Sequence, residues 1–345
     1  MKAKFLLVAA GACAVLGADA IQNRPVGMGP GAGQSIYATD QFPGFDELDD
    51  LPKNEKKETS WFLHVSAQSP AGQWKYVEEC LADGSRRAAR RGCDALVREW
   101  PSDDLAPKAQ LELSRIWEEL YEDYEEAFAA LDYLLEFYPY ACTESGVGAY
   151  ADLVQHQYYL TDRMVATKKT FLGVSFLTCK DIRRNYEAIV RRAPNADYVP
   201  EVLMKIGKLR EDGLEYEEAA QVYEMLVQKY PHSSHLLAAV YREAVCRMWL
   251  CRRLAYNRPR CEDTRSFLRE TIRKYPDIPE RDELVQWLKE LETWLSKDAY
   301  EKARFYDSRQ RTRHAAIASW ENFISQFPDS EYADEARRRI DELRQ

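Results

Sequence analysis

Residues 200–231 read PEVLMKIGKLREDGLEYEEAAQVYEMLVQKYP, two apolar-striped stretches joined through Asp212-Gly213 and closed by a proline. Counting back from Pro231 in steps of four gives Val227, Tyr223 and Ala219, which share one helical face. The same frame recurs at Trp100-Pro101, Tyr138-Pro139, Ala193-Pro194, Tyr275-Pro276 and Phe327-Pro328. Four residues before each proline stand Val97, Leu135, Val190, Val227, Ile272 and Ile324, all aliphatic. Eight before stand Cys93, Leu131, Tyr186, Tyr223, Leu268 and Trp320, and twelve before stand Ala89, Ala127, Ile182, Ala219, Thr264 and Ala316. One helix is therefore used six times. Proline ends it, because its ring removes an N–H and disfavours the helical conformation of the residue before it.

Other amphipathic stretches lie between these helices, so each unit reads as a helical hairpin. A lone hairpin cannot bury its apolar face, and neighbours must stack into a solenoid. The proline intervals are 38, 55, 37, 45 and 52 residues, each longer than the 34 of the tetratricopeptide repeat, which longer turns and insertions explain. Five to six hairpins and no sheet are expected from about residue 69 to 345.

Leu203, Ile206, Gly207, Ala219, Tyr223 and Pro231 fall at the spacing of the tetratricopeptide signature, in which Gly and Ala let paired helices approach and the aromatic fills the groove. The resemblance implies an all-α, right-handed solenoid of tetratricopeptide-like helical hairpins. Near the C-terminus, Asp298-Ala299-Tyr300, Ala303-Arg304-Phe305-Tyr306, Ala315-Ala316 and Phe327-Pro328-Asp329-Ser330-Glu331-Tyr332-Ala333 resemble the last repeat of the BamD (YfiO) family of outer-membrane assembly lipoproteins. That likeness runs over roughly residues 70 to 345 and is poor between about 140 and 180. It implies a protein-binding scaffold whose partners are a BamA-type barrel assembly protein and unfolded outer-membrane proteins. A second class, a periplasmic repeat adaptor for envelope division or peptidoglycan synthesis, stays open. In such solenoids the first helix of each hairpin lines the concave face. Spacing back from Pro101, Pro139 and Pro231 then points to Trp74, Glu78, Glu112, Ile116, Met204 and Lys208 as client contacts, with Trp74 and Ile116 as core residues in the competing reading.

The N-terminus carries Lys2 and Lys4, an apolar run from Phe5 to Ala10 and small residues up to Ala18-Asp19-Ala20, the layout of a secretory signal peptide over residues 1–20. A competing reading makes Cys13, after Ala10-Gly11-Ala12, a lipid-anchored cysteine. Either route implies residence in the periplasm, at the inner face of the outer membrane if the family likeness holds. Residues 21–68 hold five glycines and four prolines between Pro25 and Pro52 and the acidic run Asp46 to Asp50, and they read as a flexible linker. Within it Phe42-Pro43-Gly44-Phe45 is either a short partner-binding element or part of that inert tether.

Composition narrows the function classes. Charged residues make up 30% of the chain and the net charge is -9, while the mean hydropathy of -0.55 leaves no room for several membrane spans. A negative chain is repelled by phosphate backbones, so nucleic acid is not an expected partner. There is no Gly-rich phosphate loop, no Gly-x-Ser-x-Gly and no His-Glu-x-x-His in the sequence. His232 and His235 sit in a turn, and no second Cys or His pair lies at zinc spacing, so no enzyme activity, cofactor or metal is expected. Of the seven cysteines beyond the signal, Cys251 and Cys261 bracket a turn and are the best disulfide candidates, the competing reading leaving both reduced. Among the basic clusters, Arg309, Arg311 and Arg313 lie in the turn of the final hairpin, where a partner with an acidic surface could dock.

Overall fold

The computed structural model describes residues 42–45, 67–167, 170–171, 174–175, 179–253, 257–308 and 313–344. The expected signal peptide, Cys13, most of the 21–68 tether, Arg309 and Arg311 lie outside these residues. The described residues form an all-α helical repeat. They divide into two units.

The first unit holds α1 (Pro70–Ala82), α2 (Arg86–Glu99), α3 (Ala106–Tyr121), α4 (Tyr124–Phe137) and α5 (Tyr150–Ala166). Each packs on the next in the chain. A short pair follows, β1 (Thr170–Phe171) and β2 (Val174–Ser175), antiparallel with Thr170 opposite Ser175. That pair corrects the expectation of no sheet; it falls in the segment where the repeat pattern fades. Buried glutamines tie first helices to second ones here. Gln73 donates to the Gly92 carbonyl at 3.1 Å and Gln110 to the Ala130 carbonyl at 2.7 Å, while Ser114 donates to the Ala127 carbonyl at 2.8 Å. A buried amide is stable only when so satisfied, and reaching a neighbour's backbone demands close helix packing.

The second unit holds most of α6 (Cys179–Arg192), then α7 (Val199–Asp212), α8 (Tyr216–Lys229), α9 (Leu236–Arg253), α10 (Arg258–Lys274), α11 (Arg281–Ser308), α12 (Arg313–Gln326) and α13 (Ala333–Arg344). From α9 to α13 one apolar core runs without a break through Met248, Leu268, Trp287, Leu295, Trp320, Phe323 and Ile340. Cys251 and Cys261 are disulfide-bonded with their Cα atoms 5.4 Å apart. Of the two readings of that pair, the structure takes the bonded one. Closing a loop of this size contributes about 2–3 kcal/mol.

The six second helices α2, α4, α6, α8, α10 and α12 all end two residues before their proline. In five of them the residue before proline donates its N–H to the carbonyl four back at 2.9 Å, as Trp100 does to Leu96 and Tyr230 to Leu226. The chain then leaves the helix; Tyr230 stands at φ -127, ψ 56. The positions eight and twelve before proline are buried in all six. Four before, Val97, Leu135 and Val190 are buried but Val227, Ile272 and Ile324 only half so; five before, Leu96, Leu134, Ile189, Leu226, Thr271 and Phe323 are all buried. The buried stripe thus turns slightly toward the earlier residue, as a period of 3.6 rather than 4 requires.

Gly207 of α7 meets Tyr223 of α8 so closely that a β-carbon there would lie 2.4 Å from its ring, and the Tyr223 hydroxyl donates to Glu211 at 2.7 Å. The ring is fixed at both ends. In the hairpin turn, the left-handed residue is Leu214 at φ 63, 62% exposed, whereas Gly213 stands at an ordinary φ of -80. The equivalent place in the first hairpin is Gly84, at φ 71.

Two outcomes follow for thermal melting of the full chain. Gly207→Ala and Ala219→Trp each overpack the α7–α8 contact and should cost about 1 to 3 kcal/mol; unchanged melting temperatures would refute that packing. Leu214→Gly should instead stabilise by up to about 1 kcal/mol, because relief of the left-handed strain exceeds the entropy lost by glycine.

Candidate protein-interaction surface

Contact with a partner needs side chains that the fold's own packing leaves accessible, and burial divides the expected contact residues. On α1, Ser69 caps the helix by accepting the Gly72 N–H at 3.2 Å, and proline at the first position pre-sets the turn. Trp74 is half-buried one turn further on, and its indole N–H donates to Glu78, which is exposed, at 2.7 Å. The two therefore form an i, i+4 clamp. Glu112 on α3 is half-buried and lies 3.6 Å from Arg115.

Ile116 is 2% exposed. This corrects its reading as a client contact. It continues the buried stripe of α3 through Ala109 and Leu113, seven and three residues earlier, and so belongs to the core. The solvent face of α3 carries Arg115, Glu119 and Leu120 instead.

Sequence reasoning missed a band on the first unit. Trp117 and Tyr121 lie 4.8 Å apart, with the Arg90 guanidinium 4.7 Å above Trp117. Glu118 meets His156 of α5 at 2.8 Å, and the imidazole stacks on Tyr159 at 5.6 Å, whose ring is 47% exposed. Its signal is weak in sequence, because α3 and α5 each contribute only a few of these residues and nothing in their spacing says which face turns outward.

On the second unit, Met204 is half-buried and Lys208 exposed, the latter 2.9 Å from Asp212. Arg313 is exposed at the start of α12. Before it, α11 ends in Phe305 and Tyr306, 50% and 45% exposed with rings edge to face at 5.7 Å. Asp307 alongside is held by Arg339 of α13 at 2.6 Å.

Beneath this surface lies a chain of ion pairs built around the buried Arg183, Glu187, Arg210 and Glu211. Glu187, fully buried, accepts from Arg210 at 2.9 Å; Arg210 and Arg183 also reach Glu215, at 2.6 and 2.9 Å, and Glu211 accepts from Nε and Nη2 of Arg242. Each charge meets its opposite, so the network orders helices α6 to α9 rather than presenting a reactive group. Glu243 is bonded to Arg247 at 2.7 Å, yet burial outweighs that partner and pushes its carboxyl up to about 7. Burial likewise raises the Cys142 thiol to about 11 and Cys246 to about 12, so both stay protonated and unreactive at neutral pH.

With that geometry in place, comparison with known proteins gives two findings. Residues 214–345 match the model of the YfiO family, described as outer membrane lipoprotein, over less than half of the chain. Among solved structures, a tetratricopeptide repeat protein from Parabacteroides merdae is similar at 11% identity, covering 81% of this chain and 100% of that one, with a TM-score of 0.29. No curated protein matches. Among the described residues, no helix is long and apolar enough to cross a membrane.

Glu243 supplies the pH test. Its folded value lies above the ordinary 4.5, so the stability it contributes is complete below pH 4.5 and is lost as pH rises through about 7. Glu243→Gln cannot ionise. Its melting temperature relative to the wild type should therefore climb by several degrees between pH 4.5 and pH 8, a gain of about 3 kcal/mol at most; a pH-independent difference would contradict the burial argument.

Proposed function

We propose that this chain is a cell-envelope scaffold that binds partner proteins during outer-membrane assembly. The observation that carries the reading is the match of the C-terminal helices to an outer membrane lipoprotein family. The fold supports it: stacked hairpins give a surface far larger than their core needs, and such repeats serve as binding surfaces. The signal-like N-terminus agrees with export, which would set the chain in the periplasm at the inner face of the outer membrane. Its partners in this reading are a BamA-type barrel protein and unfolded outer-membrane proteins. The contact residues are Trp74, Glu78 and Glu112 on the first unit and Met204, Lys208 and Arg313 on the second, with Arg309 and Arg311 beside Arg313 in sequence. Trp74 brings the largest apolar surface among them, and the charges set register.

Copurification of the tagged full chain from envelopes tests the assignment. A BamA-type barrel in the eluate is the expected result, whereas division or peptidoglycan-synthesis proteins in its place would overturn it. The two residues once grouped as contacts should now behave differently. Trp74→Ala should weaken binding of an unfolded outer-membrane protein segment at an unchanged melting temperature, while Ile116→Ala should cost about 2 to 5 kcal/mol of stability. Equal behaviour of the two variants would refute the division between surface and core.

A further inference from the structure

Phe42 precedes the first helix by 28 residues, yet it is only 5% exposed. Its surroundings explain this. Pro43 and Gly44 make a tight turn closed by the Phe45 N–H to the Phe42 carbonyl at 3.2 Å, with Gly44 at φ 82, the geometry that a Pro-Gly pair favours. The turn brings the two phenylalanine rings together, 5.3 Å apart and 13° from parallel.

The folded turn lies on α8. The Lys229 ammonium sits 4.7 Å from the centre of the Phe42 ring. Gly44 is pressed against the helix backbone: a β-carbon on it would lie 2.7 Å from the Glu218 carbonyl oxygen, 3.1 Å from Val222 and 3.2 Å from Gln221. Glu218, Val222, Met225 and Lys229 are spaced by four, three and four, so they form a second stripe on α8. Its two central members, Val222 and Met225, are 0% and 2% exposed. A mere tether needs neither a glycine wedged on a helix nor a phenylalanine buried far from its own place in the chain.

We propose that this stripe of α8 is a binding site for an aromatic–Pro–Gly–aromatic turn, occupied in cis by Phe42–Phe45. Each feature has a chemical role. Proline and glycine pre-form the turn and lower the entropy lost on docking, the missing side chain of Gly44 permits contact with the helix backbone, and Lys229 meets the face of the inner ring. The occupied site clips the N-terminal arm to the second unit. A partner peptide of the same chemistry can bind only by displacing the arm, which competes at the millimolar effective concentration of a tethered ligand. The site does not depend on which envelope partner the scaffold serves.

The test uses the full chain and a fluorescein-labelled synthetic peptide of residues 40–47, followed by fluorescence anisotropy. Phe42→Ala with Phe45→Ala empties the site and should bind the peptide at least tenfold more tightly than the wild type does. The Gly44→Ala peptide should not bind, since it is strained at positive φ and collides with Glu218, and Lys229→Ala in the emptied chain should weaken binding severalfold. No saturable binding to the emptied chain, or equal binding of the Gly44→Ala peptide, overturns the proposal. A second readout needs no peptide. In the full chain Gly44→Ala should release the arm and raise the rate of chymotrypsin cleavage after Phe45 at least tenfold with helix content unchanged; cleavage as fast in the wild type as in the variant also overturns it.

Discussion

Each second helix must stop two residues short of its proline, and the architecture depends on that stop. Proline at this place lacks the N–H that another turn would use, and it excludes the helical conformation from the residue before it. The residue before proline closes the last helical bond, and the chain then turns at a fixed phase into the next first helix. After Pro101, Pro231 and Pro328 the turn is closed in the same way, with Asp103, Ser233 and Ser330 donating to the carbonyls of Trp100, Tyr230 and Phe327. A constant stopping point keeps the buried stripe of one helix in register with the next. That registry is what lets separate hairpins from α9 to α13 share one core.

The second helices were legible in sequence because their signal is repeated and local: a proline, an aliphatic, a bulky residue and a small one on one face. The first helices were not, since nothing in the chain marks their phase. Ile116 shows the cost. Spacing carried back from Pro139 across a turn placed it on the solvent face, while the local stripe of α3 buries it. The turn of the fourth hairpin misleads in a similar way, for Asp212-Gly213 announces a glycine turn but the left-handed residue is Leu214. The helix runs one residue further than the glycine suggests. Trp74, Glu78 and Lys208 were placed on first helices by family spacing, and the structure leaves them with accessible surface. The ion network could not be read from sequence at all, because Glu187 and Arg210 come from two helices and Glu215 from the turn before a third, and all look like ordinary surface charges in the chain.

The network also separates two uses of charge in this protein. Pairs such as Arg269 with Glu292 are exposed and contribute little, being screened by solvent. Glu187 and Arg210 are out of reach of solvent and cannot lose one partner without stranding the other. Charge at the core thus fixes which helices belong together. Charge at the surface can change without disturbing that frame.

One helix departs from the common length. α11 has 28 residues, about 42 Å at 1.5 Å per residue, where the other described α-helices have 12 to 18. Its buried seam runs from Leu284 through Trp287, Leu291, Leu295 and Ala299 to Ala303, with α10 and α12 packed along it. Such an element behaves as a strut. Short helices joined by turns absorb a displacement in their joints, but a continuous rod locked along its length must slide as one piece or not at all. A pull on the exposed rings of Phe305 and Tyr306 is consequently resisted in shear by every side chain of the seam at once, and what happens at that end of the rod is felt about 30 Å away at Leu284.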